Sequence, residues 1–407
     1  MEVLVIGGGA SGMFAAITAA AQGADVTLYE HNSVLGKKIL ATGNGKCNLG
    51  NRNLGIDCYN SSDIELLNQY FSQFDEEDTI STMMALGLMI KERNGYLYPV
   101  SDQAASVRDL LELQLKAYGV KIFTDTLADG IKKDAHGKFL VHAGGCEKSF
   151  DRVILSCGSY AGLRRTERVP GDIDGYSLAY HLGHSIVPVK PALVQVICKE
   201  DYFKKISGVR CECLIQLMSN GALIGSEYGE LQITETGLSG IPVFQLSRHI
   251  SANPDRDYDF VIDLMPGMQE EEFILMMQKR ILAYQGTLIK EFFLGMLNSK
   301  LCDLLMEMAG LDPEDIVDEE TENKLITAIS LIKCWRVRAK NTKSFEHAQC
   351  CSGGVPVSEI SDDCQSVKCP GLYITGEMLD VDGKCGGYNL QWAWTTGYIA
   401  GKAAGTE

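Results

Sequence analysis

The sequence predicts an α/β fold with a mainly parallel sheet, interrupted first by a β-rich segment and then by a helical one. Three observations predict it. The chain opens on a strand–glycine–helix–strand unit ending at Glu30, strand and helix patterns alternate up to Gly158, and a second strand–glycine–helix element closes the chain.

Val3-Leu4-Val5-Ile6 is an apolar, partly β-branched run that reads as a buried parallel strand. Gly7-Gly8-Gly9-Ala10-Ser11-Gly12 follows, then an Ala-rich helical stretch over 13–22 that Gly23 breaks. Asp25 to Tyr29 reads as the second strand, ending on Glu30. Gly7, Gly9 and Gly12 fit the dinucleotide fingerprint. The first permits a tight turn, the second lets a pyrophosphate approach the backbone, and the third lets helix pack on strand. The helix N-terminus there favours an anion through its free N–H groups and its dipole. Glu30 is placed to accept a hydrogen bond from a ribose hydroxyl.

Between Thr42 and Asn48, glycines alternate with amide and hydroxyl residues, which suits a loop whose backbone N–H groups wrap a polar ligand. Lys37, Lys38 and Lys46 would supply positive charge near a phosphate. Residues 63–88 look helical, with 75–78 as a solvated acidic turn. A strand over 96–100 follows, then a helix over 103–118, capped by Ser101 or Asp102 and stopped by Gly119. Further strands are expected over 120–123, 128–131, 139–143 and 153–158.

From about Pro188 the texture changes to short strand candidates, over 193–197, 211–217, 231–234 and 260–264. Residues 268–335 then read as almost continuously helical, and the stripe of Leu301, Leu304, Leu305 and Met308 reads as bundle core. A strand over 371–375 and a helix over 390–404 close the chain. Small residues at Ala393, Gly397, Ala400, Gly401 and Ala404 would let that helix pack close to the sheet. The C-terminus is therefore expected to re-enter the first domain and complete the site there.

The 407 residues allow two or three domains and a large core. Hydrophobic content of 45% and charged content of 22% are those of a globular protein. A formal net charge of −16 without a basic stripe argues against a nucleic-acid partner. No apolar run is long enough for a membrane span and no leader is visible, so a cytoplasmic location and no membrane partner are expected. The 14 cysteines contain no CxxC. Cys211/Cys213 and Cys350/Cys351 are too close for paired zinc ligands, so no metal is expected and the thiols read as small hydrophobes. Cys364 and Cys369 have the spacing of a flavin disulfide-reductase pair but lie far from where such enzymes keep theirs.

The glycine loop, the Thr42-to-Asn48 loop, Tyr98-Pro99-Val100-Ser101, Thr236-Gly237-Leu238-Ser239-Gly240, Gly353-Gly354-Val355 and the block from Gly371 to Gly401 resemble the aminoacetone oxidase family of FAD-binding flavoproteins. That family includes the BaiN-type bile-acid reductases. The resemblance runs nearly end to end. It implies a Rossmann-like FAD-binding domain over 1–188 and 345–407, and a β-barrel-like substrate domain over 189–266 and 330–344. A helical insert would span 267–329. It also implies that FAD contacts fall on Gly7, Gly9, Ala10, Ser11 and Gly12 for the pyrophosphate, with Glu30 and His31 near the adenosine ribose. The backbone at Ala128 would meet the adenine. Lys37, Lys38, Thr42, Asn44, Gly45, Cys47 and Asn48 would lie toward the flavin. Gly158, Gly376, Glu377, Asp380, Gly387, Asn389 and Leu390 would complete the ribityl and ring side. Three departures stand out: Lys46 replaces the usual Arg, Ser156-Cys157-Gly158 the common Ala-Thr-Gly, and Cys351-Ser352-Gly353 the usual Thr-Ala-Gly.

With FAD bound, the flavin carries the redox chemistry and the protein orients it. The N-terminus of the last helix, near Gly387 to Asn389, is expected at the N1–C2=O edge of the ring, where its dipole would stabilise the reduced form. Asn389→Asp would then lower the reduction potential. No second G-x-G-x-x-G follows a strand, so NADH or NADPH would have to reach the flavin through the substrate cleft. Two enzymatic readings follow: a reductase of a conjugated C=C bond in a small molecule, or an amine oxidase using O₂. A flavin-dependent tRNA-modifying protein is the alternative of another class. His347, Tyr388, Cys47 and Ser239 are polar candidates near the cleft, with His347 read as structural; none is taken as catalytic.

Overall fold

Five parallel strands form the central sheet, in the spatial order Leu372–Ile374, Arg152–Leu155, Glu2–Ile6, Asp25–Tyr29, Lys121–Phe123. The first and last segments of the chain thus share one sheet. In this computed structural model residues 1–162 and 173–406 are described. The chain groups into two compact units, Met1–Lys190 with Cys350–Glu407, and Pro191–Gln349.

In the first unit, β1 (Glu2–Ile6), α1 (Ala10–Ala21) and β2 (Asp25–Tyr29) follow the expected order. Val3, Leu4 and Val5 are fully buried, as a central parallel strand with both faces covered requires. The C-terminal helix, Tyr388–Gly405, starts two residues earlier than its apolar pattern indicates. Its close approach is to α1. Cβ atoms at Gly397, Gly401 and Gly405 would fall 2.6, 2.4 and 2.7 Å from the carbonyl oxygens of Ser11, Ala15 and Ala19. The glycine spacing matches one turn of α1 per step, so the two helix backbones lie in contact where the sequence led us to expect helix on sheet. Arg152 Nη1 donates to the Ala403 and Thr406 carbonyls, satisfying the far end of the same helix.

The helical stretch expected over 63–88 with a turn at 75–78 is two helices, Ile64–Gln73 and Glu76–Ala85. The acidic run is the start of the second. Asp75 and Asp78 form a reciprocal capping box, and acid near a helix N-terminus is stabilised by the dipole. The helix Ala104–Ala117 has Gln103 at its N-cap, while Ser101 Oγ bonds to Ser106 Oγ instead of capping. The 37–48 loop contains a short helix, Lys37–Ala41, ahead of its turn. A strand at Cys146–Phe150 extends the antiparallel pair Ala128–Lys133 and Phe139–Ala143 into a three-stranded sheet.

The second unit is a closed barrel. Its strands run Val196–Cys198, Gly237–Gly240, Ala222–Thr234, Arg210–Ser219, Asp259–Asp263 and Trp335–Thr342 around the wall, the last pairing back to the first. Trp335 begins a strand where the sequence pattern continued a helix. The helices Glu270–Ala283, Ser299–Ala309 and Glu322–Lys333 contribute Phe273, Leu304 and Ile332 to one core with barrel residues Ile215, Phe260 and Trp335.

Candidate dinucleotide site

At the end of β1 each glycine of the fingerprint meets a different constraint. Gly7 has φ +105°, and a Cβ there would lie 2.4 Å from the Ser156 carbonyl oxygen. A Cβ on Gly12 would come within 1.9 Å of the Gly7 carbonyl oxygen. Gly9, at the N-cap of α1, has nothing within 4 Å of its Cβ position, and no side chain caps the helix. The turn is closed beneath, and above Gly9 it is open for an anion to approach the free N–H groups of Ala10, Ser11 and Gly12.

Glu30 is buried at the tip of β2. Its Oε2 accepts from Gly8 N (2.7 Å), and its Oε1 accepts from Asn32 N (2.8 Å) and Nδ2 (2.6 Å). Its carboxylate therefore braces the glycine loop; a carboxylate's four lone-pair sites leave room for one hydroxyl more. His31 Nδ1 lies 3.1 Å from Glu30 Oε1, and Lys37 Nζ donates to Asn32 Oδ1 at 3.1 Å.

Lys38 does not offer a free ammonium. Its Nζ sits 2.5 Å from Glu377 Oε2, an oxygen that also accepts from Ser159 Oγ at 2.5 Å. Desolvation works against the Lys38 charge, but the attraction and hydrogen bond of Glu377 outweigh it and raise its pKa. Glu377 follows Gly376, whose Cβ position lies 2.7 Å from Ser11 Oγ, while Ser156 and Thr375 hydroxyls meet at 2.7 Å. Residues 7–12, 156–159 and 375–377 therefore converge at the start of α1.

The Thr42-to-Asn48 turn is built from left-handed residues: Gly43, Asn44, Gly45 and Cys47 have φ of +56°, +53°, +82° and +58°. Thr42 Oγ1 donates to the Ile39 carbonyl (2.6 Å), and Cys47 N to the Thr42 carbonyl (3.1 Å). Cys47 is fully buried, and burial pushes its thiol up to about 11, so it is an inert neutral thiol. Next to it, Asn48 Oδ1 is buried without a hydrogen-bond partner among the described residues. A buried amide oxygen left unpaired can take a hydrogen bond from a ligand or a water.

Gly158 is open above its Cα (φ +73°), and Ala128 is buried at the start of its strand. Other residues expected at the cofactor also bond to the backbone. Asp380 Oδ1 accepts from Gly353 N at 2.9 Å. Asn389 Oδ1 accepts from Gly383 N at 2.9 Å and its Nδ2 donates to the Gly383 carbonyl at 2.9 Å. Asn389→Asp would replace that donor by a second acceptor and disturb the loop, so it does not isolate the helix dipole as the sequence argument required. Gly387 (φ +97°) abuts Gly50, a Cβ falling 2.6 Å from the Gly50 carbonyl oxygen, and leaves the helix at Tyr388–Gly405 without a side-chain cap. Leu390 packs against the core, and Tyr388 OH donates to the Asn53 carbonyl at 3.3 Å.

His347 is exposed in a short turn and Ser239 is buried in the barrel wall, each in the second unit. The buried, satisfied histidine is His184. Cys350, Cys351, Cys364 and Cys369 are all free thiols. Ser159 was not singled out by sequence; its position just past a strand-end glycine was the available signal. Among the described residues no metal-holding cluster and no helix long and apolar enough to cross a membrane occur.

Strand order and glycine turn together define the class, a Rossmann-type fold with an open helix N-terminus at the end of its first strand. The chain belongs to the HI0933-like family: the family model, described as the HI0933-like protein Rossmann domain, matches residues 1–403. It is 40% identical over 405 residues, 98% of each chain, to a 3-dehydro-bile acid delta(4,6)-reductase of Clostridium scindens. It is 27% identical, over 98% of this chain and 96% of the relative, to a ribosomal RNA dihydrouridine synthase of Haemophilus influenzae. In fold it matches a 3-ketosteroid-delta4-(5alpha)-dehydrogenase of Rhodococcus jostii, with a TM-score of 0.52 at 17% identity over 100% of this chain and 97% of the other. The chain is an FAD-dependent oxidoreductase.

Proposed function

We propose that this protein reduces a C=C bond conjugated to a carbonyl, with a steroid enone of the 3-dehydro-bile-acid kind as substrate and NADH or NADPH as electron donor. The observation that carries the reading is the 40% identity to the bile-acid reductase across 98% of both chains. The site fits the cofactor: Gly9 is open where a pyrophosphate would lie, and Asn48 Oδ1 is a buried acceptor awaiting a donor.

Ala10, Ser11 and Gly12 would hold the pyrophosphate at the start of α1. Glu30 would take a ribose hydroxyl, the Ala128 backbone the adenine, and Glu377 a hydroxyl of the ribityl chain. Asn44, Gly45, Cys47 and Asn48 would line the ring. Bound FAD would supply the hydride acceptor and donor for the two half-reactions. The uncapped N-terminus at Gly387 to Leu390 favours negative charge beside it, and so favours the reduced state. In net terms the nicotinamide loses a hydride, and the substrate gains a hydride at one alkene carbon and a proton from solvent at the other.

Anaerobic mixing with NADH or NADPH should bleach the flavin absorbance within seconds, and a 4-en-3-one steroid should restore it. A flavin that stays oxidised with both donors overturns the reductase reading and favours the oxidase. The ribosomal RNA reading rests on 27% identity and faces a net charge of −16; a gel shift with rRNA fragments at low salt tests it.

A further inference from the structure

Glu377 presents a paradox of charge. Its carboxylate is only 13% exposed and follows the glycine that touches Ser11 at the start of α1, where the site reading puts a doubly negative pyrophosphate. An anion beside an anion weakens binding unless a cation neutralises it. Lys38 and Ser159 both place their donors on one oxygen, Oε2, at 2.5 Å. Oε1 receives no donor among the described residues and is not sealed from solvent.

We propose that Lys38 and Ser159 are positioning residues. They neutralise and orient the Glu377 carboxylate, so that Oε1 can accept from a cofactor hydroxyl without its charge repelling the pyrophosphate. Lys38 thus acts through Glu377 and not by touching a phosphate. Charge on both sides is required for this division of labour. The ammonium comes from the 37–41 helix, the hydroxyl from the segment after Gly158, and the carboxylate from the re-entering C-terminal segment. The pair therefore also ties the two ends of the chain across the cradle. This proposal rests on the FAD reading above.

The test is FAD affinity of the apoprotein, read by quenching of flavin fluorescence, for wild type, K38M, E377Q, the double variant K38M/E377Q, S159A and K38R. K38M should bind FAD about tenfold or more weakly, because an uncompensated carboxylate is left at the site. E377Q keeps an amide oxygen and should lose only a few fold. The double variant should recover most of the K38M loss. Salt gives a second readout: raising ionic strength should tighten FAD binding to K38M by screening the repulsion, and should not do so for wild type. K38R should bind like wild type, and S159A should lose affinity with the same rescue by E377Q. A double variant as weak as K38M, or K38M binding that weakens with salt, overturns the proposal and makes Lys38 a direct phosphate ligand. Wild-type protein that binds no FAD overturns the cofactor reading itself.

Discussion

Glu359 collects donors from His184 Nδ1 (2.8 Å), Lys368 Nζ (2.6 Å), Ser185 N (3.1 Å) and Ser185 Oγ, all within the first unit. Ser366 Oγ accepts from Lys368 N and Cys369 N, so its own hydrogen goes to His184 Nε2. That assigns the neutral tautomer with the proton on Nδ1, donated to Glu359. Burial works against the Glu359 charge, but the bonds from Lys368, Ser185 and His184 prevail and hold it to about 2 against an ordinary 4.5. Burial, helped by Lys368, also holds His184 below its ordinary 6.5, although Glu359 pulls the other way. The signs agree. Below 6.5 the unfolded chain binds His184's proton more readily than the fold does. Stability from Glu359 is complete above 4.5 and is lost as pH falls toward 2. Glu359→Gln should therefore cost about 2 kcal/mol at neutral pH. In urea titrations its gap from wild type should narrow steadily once the pH drops under 4.5, and a gap independent of pH would refute the assignment. None of this cluster was legible in the sequence, because its members are up to 182 residues apart. The same holds for Lys38 and Glu377, 339 apart. Gly7 and Gly12 were legible because local spacing alone states why each must lack a side chain.

At the scale of elements, the contact of the C-terminal helix with α1 is what closes the cradle. Alanine is a better helix former than glycine by about 1 kcal/mol. At Gly401 that gain loses, since the new Cβ would sit 2.4 Å from the Ala15 carbonyl oxygen, a backbone atom that no rotamer can move. Overpacking of this kind costs about 1–3 kcal/mol and displaces the helices. Gly401→Ala should thus lower the thermal midpoint, and FAD affinity should fall with it although Gly401 packs about one helical turn along α1 from Ser11 of the cradle. A variant with an unchanged or higher midpoint would show that the helices separate at no cost. The small residues were readable as a close-packing face, but not which neighbour they serve. Periodicity reports which side of a helix is buried and is silent on what lies opposite. The acidic run at 75–78 was misread for a related reason. Four acids look like solvent-exposed loop until one sees Asp75 and Asp78 exchanging backbone bonds at a helix start.

At the scale of the molecule, the union of the two termini in one sheet was legible because each end carries a strand, glycines and a helix. In the middle, Phe273, Leu304 and Ile332 from the helices share one core with Phe260 and Trp335 of the barrel, within the unit at Pro191–Gln349. A sequence shows that two stretches differ in period but not that their apolar faces meet. Each unit has a core of its own, and every candidate cofactor residue lies in the unit at Met1–Lys190 and Cys350–Glu407. Ligand binding stabilises only the cooperative unit that binds, by about 2.7 kcal/mol at a hundredfold excess over Kd. Calorimetry of the full chain should accordingly resolve two transitions, and added FAD should raise one while leaving the other within a degree. A single transition that moves as a whole with FAD would mean that the two cores melt together, and the division would then be one of geometry without a separate thermodynamic existence.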